Sequence, residues 1–280
     1  MKLFLAAMTR ELGAGGRLLS NWSKEDMKLF WAAPLINKDL TIKNPCYNGG
    51  LSFADMYILE SFAYIEKQEW MFPLFPQFKG FLLDSGAFTF LTSMKGKKVD
   101  WEQYVINYGK FVKRHNIEFF FELDIDPIVG IQEVERLRAI LEFEAGKKCI
   151  PVWHRSRGLD YWHNMTKKYD YVAIGGIVTQ EIKRSEYDVF KPLLKIARSN
   201  NCKVHGLGFT NLSGMKKYKF YSVDSTSWLS GNKFGAIYLF DGETMIKQTK
   251  RAGQRVLTNR VAIHNFTEWF KFSKYAEIHL

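Results

Sequence analysis

Residues 81–90 read FLLDSGAFTF. Phe81, Leu82 and Leu83 have the character of a buried strand, and Gly86 permits a sharp turn directly after it. That leaves Asp84 at the strand's carboxyl end, where a carboxylate is costly unless it has a partner or a task. Three later stretches repeat the pattern of an apolar strand ending in polar or glycine-rich sequence: FFFELDID (119–126), YVAIGG (171–176) and YSVDSTSW (221–228). The expectation is that these ends meet at one face.

Outward from that stretch, strands and helices alternate. Lys2 to Met8 reads as the first strand, and 36–50 as loop. Met56 to Ile65 reads as helix, and Pro73 and Pro76 interrupt the segment between it and the strand into Asp84. Trp101 to His115 puts Tyr104, Tyr108, Phe111 and Val112 on one helical face. Further strands are expected at 117–124, 149–153, 170–174, 203–207, 220–223 and 236–240. Helices are expected around 131–141, 159–168, 180–199 and 211–217, with a closing helix at 265–276. About eight strands separated by helices argue for a parallel sheet, and in one domain spanning residues 1–280 they favour a (β/α)8 TIM barrel. Active sites of such barrels lie at the carboxyl ends of the strands. The sequence places Asp84, Asp124, Asp126, His154, Gly175, Gly176, His205 and Asp224 there.

With 280 residues and 46% apolar content the chain can bury one large core. No apolar run is long enough to span a membrane. The opening MKLFLAAMTRE meets Arg10 too early for a secretory signal. Cys46, Cys149 and Cys202 are odd in number and far apart and show no disulfide framework, which fits a reducing cytoplasm. His154 and His205 lack companions at ligand spacing and read as polar lining, so no metal and no cofactor are expected. ELGAGGRL lacks both the Walker lysine and the GxGxxG spacing, and reads as a loop.

A formal charge of +11 favours a polyanionic partner. Basic residues gather at Lys95, Lys97 and Lys98, at Lys216, Lys217 and Lys219, at Lys233, and along Lys247, Lys250, Arg251, Arg255 and Arg260. No acid occurs between Thr244 and Thr267. A charge run is normally solvated surface, but these follow strand ends or lie late in the chain, where they could form a phosphate track around the mouth. A single Asp after a strand is usually a helix cap or turn former. Several at one mouth could instead divide labour, one attacking a sugar C1′ while another moves a proton on the departing group.

At these residues the sequence resembles the tRNA-guanine transglycosylase superfamily. DSGAFT is similar to that family's DSGGFQ or DSGGYQ box, YVAIGGIV to AIGGLAVG, VHGLGFT to LMGVGTP, and SVDSTSW with GNKFG to its IDMFDC…RNG region. The four boxes occur in order across residues 80 to 235. The resemblance implies a (β/α)8 barrel that exchanges guanine for a 7-deazaguanine through a covalent glycosyl-enzyme. It implies Asp84 as general acid/base, and Phe88 and His205 as the walls that stack the base. Asp124 would read the heterocycle edge, Gly175 and Gly176 would bind it by backbone, and His154 or Trp153 would stand where the family has Gln. Ser85, Gly86 and Gly206 fall in the same boxes and count as substrate-binding. Two departures stand out. Strict spacing puts Ser227 at the family nucleophile, so the role passes to Asp224, falls to Asp84, or is lost; Asp224 is favoured. No Cys follows Cys202, so the family's zinc subdomain is expected to be missing. That combination looks more like the branch that inserts 7-deazaguanines such as preQ0 into DNA, with tRNA, or a catalytically inactive nucleic-acid-binding barrel, as alternatives. A glycosidase acting on a small molecule would use the same carboxylates without needing the basic runs.

Overall fold

The computed structural model describes residues 1–6, 53–92, 99–229, 235–249 and 258–280. Among them, eight strands build one parallel sheet: β1 (Lys2–Ala6), β2 (Tyr57–Ser61), β3 (Gly80–Asp84), β4 (Phe119–Phe120), β5 (Val152–Trp153), β6 (Tyr171–Ile174), β7 (Lys203–Gly206) and β8 (Ser222–Ser225). Their spatial order is β4-β3-β2-β1-β8-β7-β6-β5, every pairing parallel. A parallel bridge between Phe121 and Ile150 links the two edge strands. There Ile150 N–H donates to Phe120 O at 2.7 Å and Glu122 N–H to Ile150 O at 3.0 Å. The result is an α/β fold whose sheet curls into a TIM-like barrel.

Side chains alternate across a strand, so a curled sheet has two apolar faces. Phe4, Tyr57, Leu59, Leu82, Phe121, Val152, Tyr171 and Ala173 pack together as an inner cluster. Leu3, Leu5, Ile58, Leu83, Phe120, Val172, Val204 and Val223 join the larger core under the helices. Those helices are α1 (Ala87–Thr92), α2 (Trp101–Arg114), α3 (Ile131–Ala145), α4 (Gly158–Lys168), α5 (Phe190–Ser199), α6 (Leu212–Lys217) and α7 (Thr258–His279). Asp100 starts α2 by accepting Gln103 N–H at 3.0 Å. From that helix the Tyr108 hydroxyl points between Leu83 O and Phe121 O, at 2.9 and 3.0 Å, tying β3 to the end of β4.

Two expected elements change identity. Residues 57–61 form a barrel strand, and only Phe62–Ile65 continues as helix. Met56 to Glu60 are all buried, and a strand covered on both faces is continuously apolar, which hides its period. Residues 236–240 do not join the barrel. They are β9 (Ala236–Phe240), antiparallel to β10 (Met245–Thr249) in a separate hairpin. The open edge of β9 is covered by α7: Asn265 Oδ1 accepts Tyr238 N–H at 2.9 Å, and Glu268 Oε2 accepts Phe240 N–H at 2.8 Å. The expected helix over 180–199 is a 3-10 turn at Arg184–Val189 followed by α5. Among the described residues no helix is long and apolar enough to cross a membrane.

Candidate active site

The carboxyl ends of β3, β4, β5, β7 and β8 open on one mouth. Asp84 stands opposite Ser61 in the β2–β3 register. Its Oδ2 accepts Gly86 N–H at 2.9 Å, closing a tight turn. Gly86 has φ +89°, and a Cβ there would fall 2.7 Å from the Ala63 Cβ. Burial, with the Asp124 and Asp224 carboxylates nearby, pushes the Asp84 carboxyl up to about 7, against the pull of the Gly86 N–H. Asp224, 140 residues further along the sequence, is one of the charges that contribute to this rise.

Asp124 faces His154, with Nε2 at 3.2 Å from its Oδ2. On the other side of the ring, Nδ1 is 3.0 Å from Glu181 Oε2. Burial alone would depress this imidazole, but hydrogen bonds to the two carboxylates outweigh it and raise the group to about 10. His154 is therefore an imidazolium at neutral pH. The hydrogen bond from His154 in turn holds Glu181 below the usual carboxylate range, helped by Ser156 N–H on Oε1 at 3.1 Å.

The two glycines after β6 make room for this trio. A Cβ on Gly175 would lie 2.6 Å from His154 Cε1, and one on Gly176 2.7 Å from Glu181 Oε2. Gly175 N–H donates to Trp153 O, and Gly176 O accepts Ile182 N–H. The space above these glycines is thus filled by protein side chains, where a backbone platform for a heterocycle is expected.

Asp224 is held by one oxygen. Its Oδ1 receives Gly208 N–H at 2.6 Å and faces His205 Nε2 at 3.2 Å. Among the described residues no donor reaches Oδ2. His205 Nδ1 faces Ser222 Oγ at 2.6 Å, and that hydroxyl meets the Tyr171 hydroxyl. Burial raises the Tyr171 phenol, which stays a neutral donor. The chain is fully satisfied when Tyr171 donates to Ser222, Ser222 to Nδ1, and Nε2–H to Asp224. His205 is wholly buried, its ring centroid 5.2 Å from that of Phe121 and 6.1 Å from that of Phe4. It supports Asp224 from inside the barrel and is no wall of an open slot.

Other expected residues fall elsewhere. Ser85 is fully buried, its Oγ taking Ala87 N–H and its carbonyl the Tyr104 hydroxyl. Gly206 packs against Phe209 and Phe220. Asp126 is drawn off the mouth by Arg157, at 3.0 and 2.7 Å. Ser227 begins a 3-10 turn past β8. The Phe88 side chain, and Lys95, Lys97, Lys98, Lys233, Lys250, Arg251 and Arg255, lie outside the described residues.

Glu181 and Gly208 escape a reading of the sequence. Gly208 lies inside the VHGLGFT stretch, whose second glycine is the available signal. Glu181 sits in TQEIK, which carries none. Nearby, Arg157 bridges Asp126 to the fully buried Glu122, on which Val152 N–H also converges at 2.7 Å. This ion network fixes the segment that carries Asp124.

No family model and no curated protein matches the chain. Among solved structures, the carboxyl transferase domain of Rhizobium etli pyruvate carboxylase, solved with pyruvate, is similar at 14% identity and a TM-score of 0.45. The match covers 98% of this chain and 48% of that one, so the chain spans about half its length. A likeness at that level bears on neither mechanism nor substrate.

Proposed function

We propose that this chain is a single (β/α)8 barrel, lacking a zinc subdomain, that exchanges guanine in DNA for a 7-deazaguanine base such as preQ0. The supporting observation is the unequal treatment of two carboxyls: Asp84 is held near 7, while Asp224 is fixed through Oδ1 and, among the described residues, no donor reaches its Oδ2. In the first step Asp224 Oδ2 attacks C1′ as the glycosidic C–N bond breaks, its electron pair going to the leaving guanine nitrogen. Asp84 supplies the proton that neutralises that nitrogen. In the second step the incoming base gives its N–H proton to Asp84, its nitrogen takes C1′, and the bond to Asp224 breaks. Both carboxyls return to their starting states. Asp124, locked against the His154 imidazolium, is a fixed acceptor for the N–H edge of a purine-like base. The target base must leave the stack first, which costs a few kcal/mol in duplex and less in an open strand.

The reading is tested by incubating the protein with DNA and labelled guanine or preQ0, digesting to nucleosides, and measuring label in each. Label in DNA that disappears with Asp224→Asn is the expected outcome. Label in tRNA alone would move the substrate class to tRNA. No label in either, with oligonucleotide binding intact, would leave a binding barrel.

A further inference from the structure

A cleft of about 700 Å³ opens beside the mouth, between the loops after β6 and β7, with Thr244 of the hairpin on its rim. Gly208 joins it to the candidate site: the residue lines the cleft while its N–H holds Asp224. Gly208 has φ +67°, and a Cβ there would lie 2.2 Å from Val178 Cγ2, so the close approach of the two loops requires glycine.

Among the described residues, the lining is rich in donors and contains no Asp or Glu. Arg184 is exposed, and no acidic side chain pairs with it among the described residues. Asn211 spends its oxygen on Gly214 N–H at 2.7 Å and the Ser213 hydroxyl at 2.8 Å, which leaves the amide nitrogen as a donor. Thr210 and Thr244 add hydroxyls, and Tyr187 an aromatic edge. A guanidinium with surrounding neutral donors, and no Asp or Glu among the described lining residues, is chemistry suited to a phosphate.

We propose that this cleft binds a backbone phosphate of the polynucleotide next to the nucleotide whose base is exchanged, with Arg184 as its main contact. The proposal rests on the base-exchange reading above. Oligonucleotide binding is measured independently of transfer, so the two can fail separately.

The test is fluorescence anisotropy of a labelled single-stranded oligonucleotide against the full chain across a salt series, for wild type, Arg184→Gln and Arg184→Lys. Arg184→Gln is expected to bind roughly three- to tenfold more weakly on every sequence, with the log–log salt slope smaller by about 0.7. Arg184→Lys keeps most of the slope. A methylphosphonate placed beside the target guanine should weaken wild type and leave Arg184→Gln unchanged. Where transfer is measured, Arg184→Gln raises KM for the oligonucleotide and leaves kcat in place. Unchanged affinity and slope in Arg184→Gln would overturn the cleft assignment, as would a wild-type chain that binds no oligonucleotide. Normal binding and slope changes without any base transfer would keep the cleft and remove the exchange reading.

Discussion

His205 Nε2 stands 3.2 Å from Asp224 Oδ1, and the same oxygen takes Gly208 N–H at 2.6 Å. The carboxylate is therefore clamped along one edge. Behind the imidazole, the Ser222 hydroxyl partners Nδ1 and is itself backed by Tyr171, while the acceptor-only carboxylate favours the proton on Nε2. Ser222→Ala removes that backing, and His205→Phe removes the donor while keeping the ring's bulk. Transfer kcat is expected to fall about tenfold in the first and about a hundredfold in the second, with KM little changed. Steady-state kinetics at fixed pH, alongside a melting curve, separates this from a packing role. Loss of Tm with kcat intact would make His205 a core residue only.

On the proposed mechanism Asp84 is the general acid and must hold a proton, so transfer is expected to fall as pH rises through about 7. The same shift acts on folding. The unfolded carboxyl titrates near 3.8 and the folded one near 7, so between them the native state holds more protons than the unfolded one. The stability contributed by protonation is complete below about 4 and is lost as pH climbs through 7. Asp84→Asn, which never ionises, should abolish transfer and melt higher than wild type at pH 8. At pH 4 the two should melt alike. Paired thermal scans at the two pH values check the sign.

The His154 imidazolium is a spectroscopic prediction. With its folded value raised to about 10, its ring should show no titration between pH 6 and 8 by heteronuclear NMR. The linked stability is fully present below 6.5 and lost as pH rises through 10. Glu181→Gln removes one hydrogen-bonded carboxylate and should bring the ring down toward the ordinary range. Gly175→Ala drives a methyl into the same ring, 2.6 Å from Cε1, and is expected to cost about 1–3 kcal/mol. Urea denaturation measures that cost.

Glu122 and Arg157 are almost wholly inaccessible, at 0% and 1% side-chain exposure. Arg157→Leu leaves a buried carboxylate without its strongest partner and should destabilise the fold by about 3–5 kcal/mol. Arg136, half exposed in its pairs with Glu102 and Glu133, provides the contrast. Arg136→Ala should leave the denaturation midpoint close to wild type.

The strand ends are legible because a short apolar run stopped by a polar residue and glycine is a local signal. Asp84, Asp124, His154 and Asp224 all sit where that signal puts them. The number of barrel strands comes out right for a mixed reason. The segment at 57–61 reads as helix because burial on both faces removes alternation, while the apolar 236–240 segment reads as a barrel strand although it pairs only with its neighbour in the hairpin. Side-chain partnership is not legible. Nothing in the spacing of Tyr171, His205 and Ser222 announces a hydrogen-bonded chain, since each comes from a different strand of the barrel. Nor do adjacent glycines reveal whether a ligand or a neighbouring imidazole fills the space above them.

β1 depends on segments far along the chain. β1 lies between β2 and β8, Leu3 O accepts the Ser273 hydroxyl at 3.0 Å, and the Met1 amino group donates to Ala276 O at 3.0 Å. Contacts across such sequence separations carry a loop-closure penalty that slows their formation. A ribosome-bound fragment ending before residue 222 would hold Asp84 and Asp124 but no Asp224, and its opening strand would lack one flank. The sheet around β1 can therefore close only once β8 and α7, far along the chain, have docked against it.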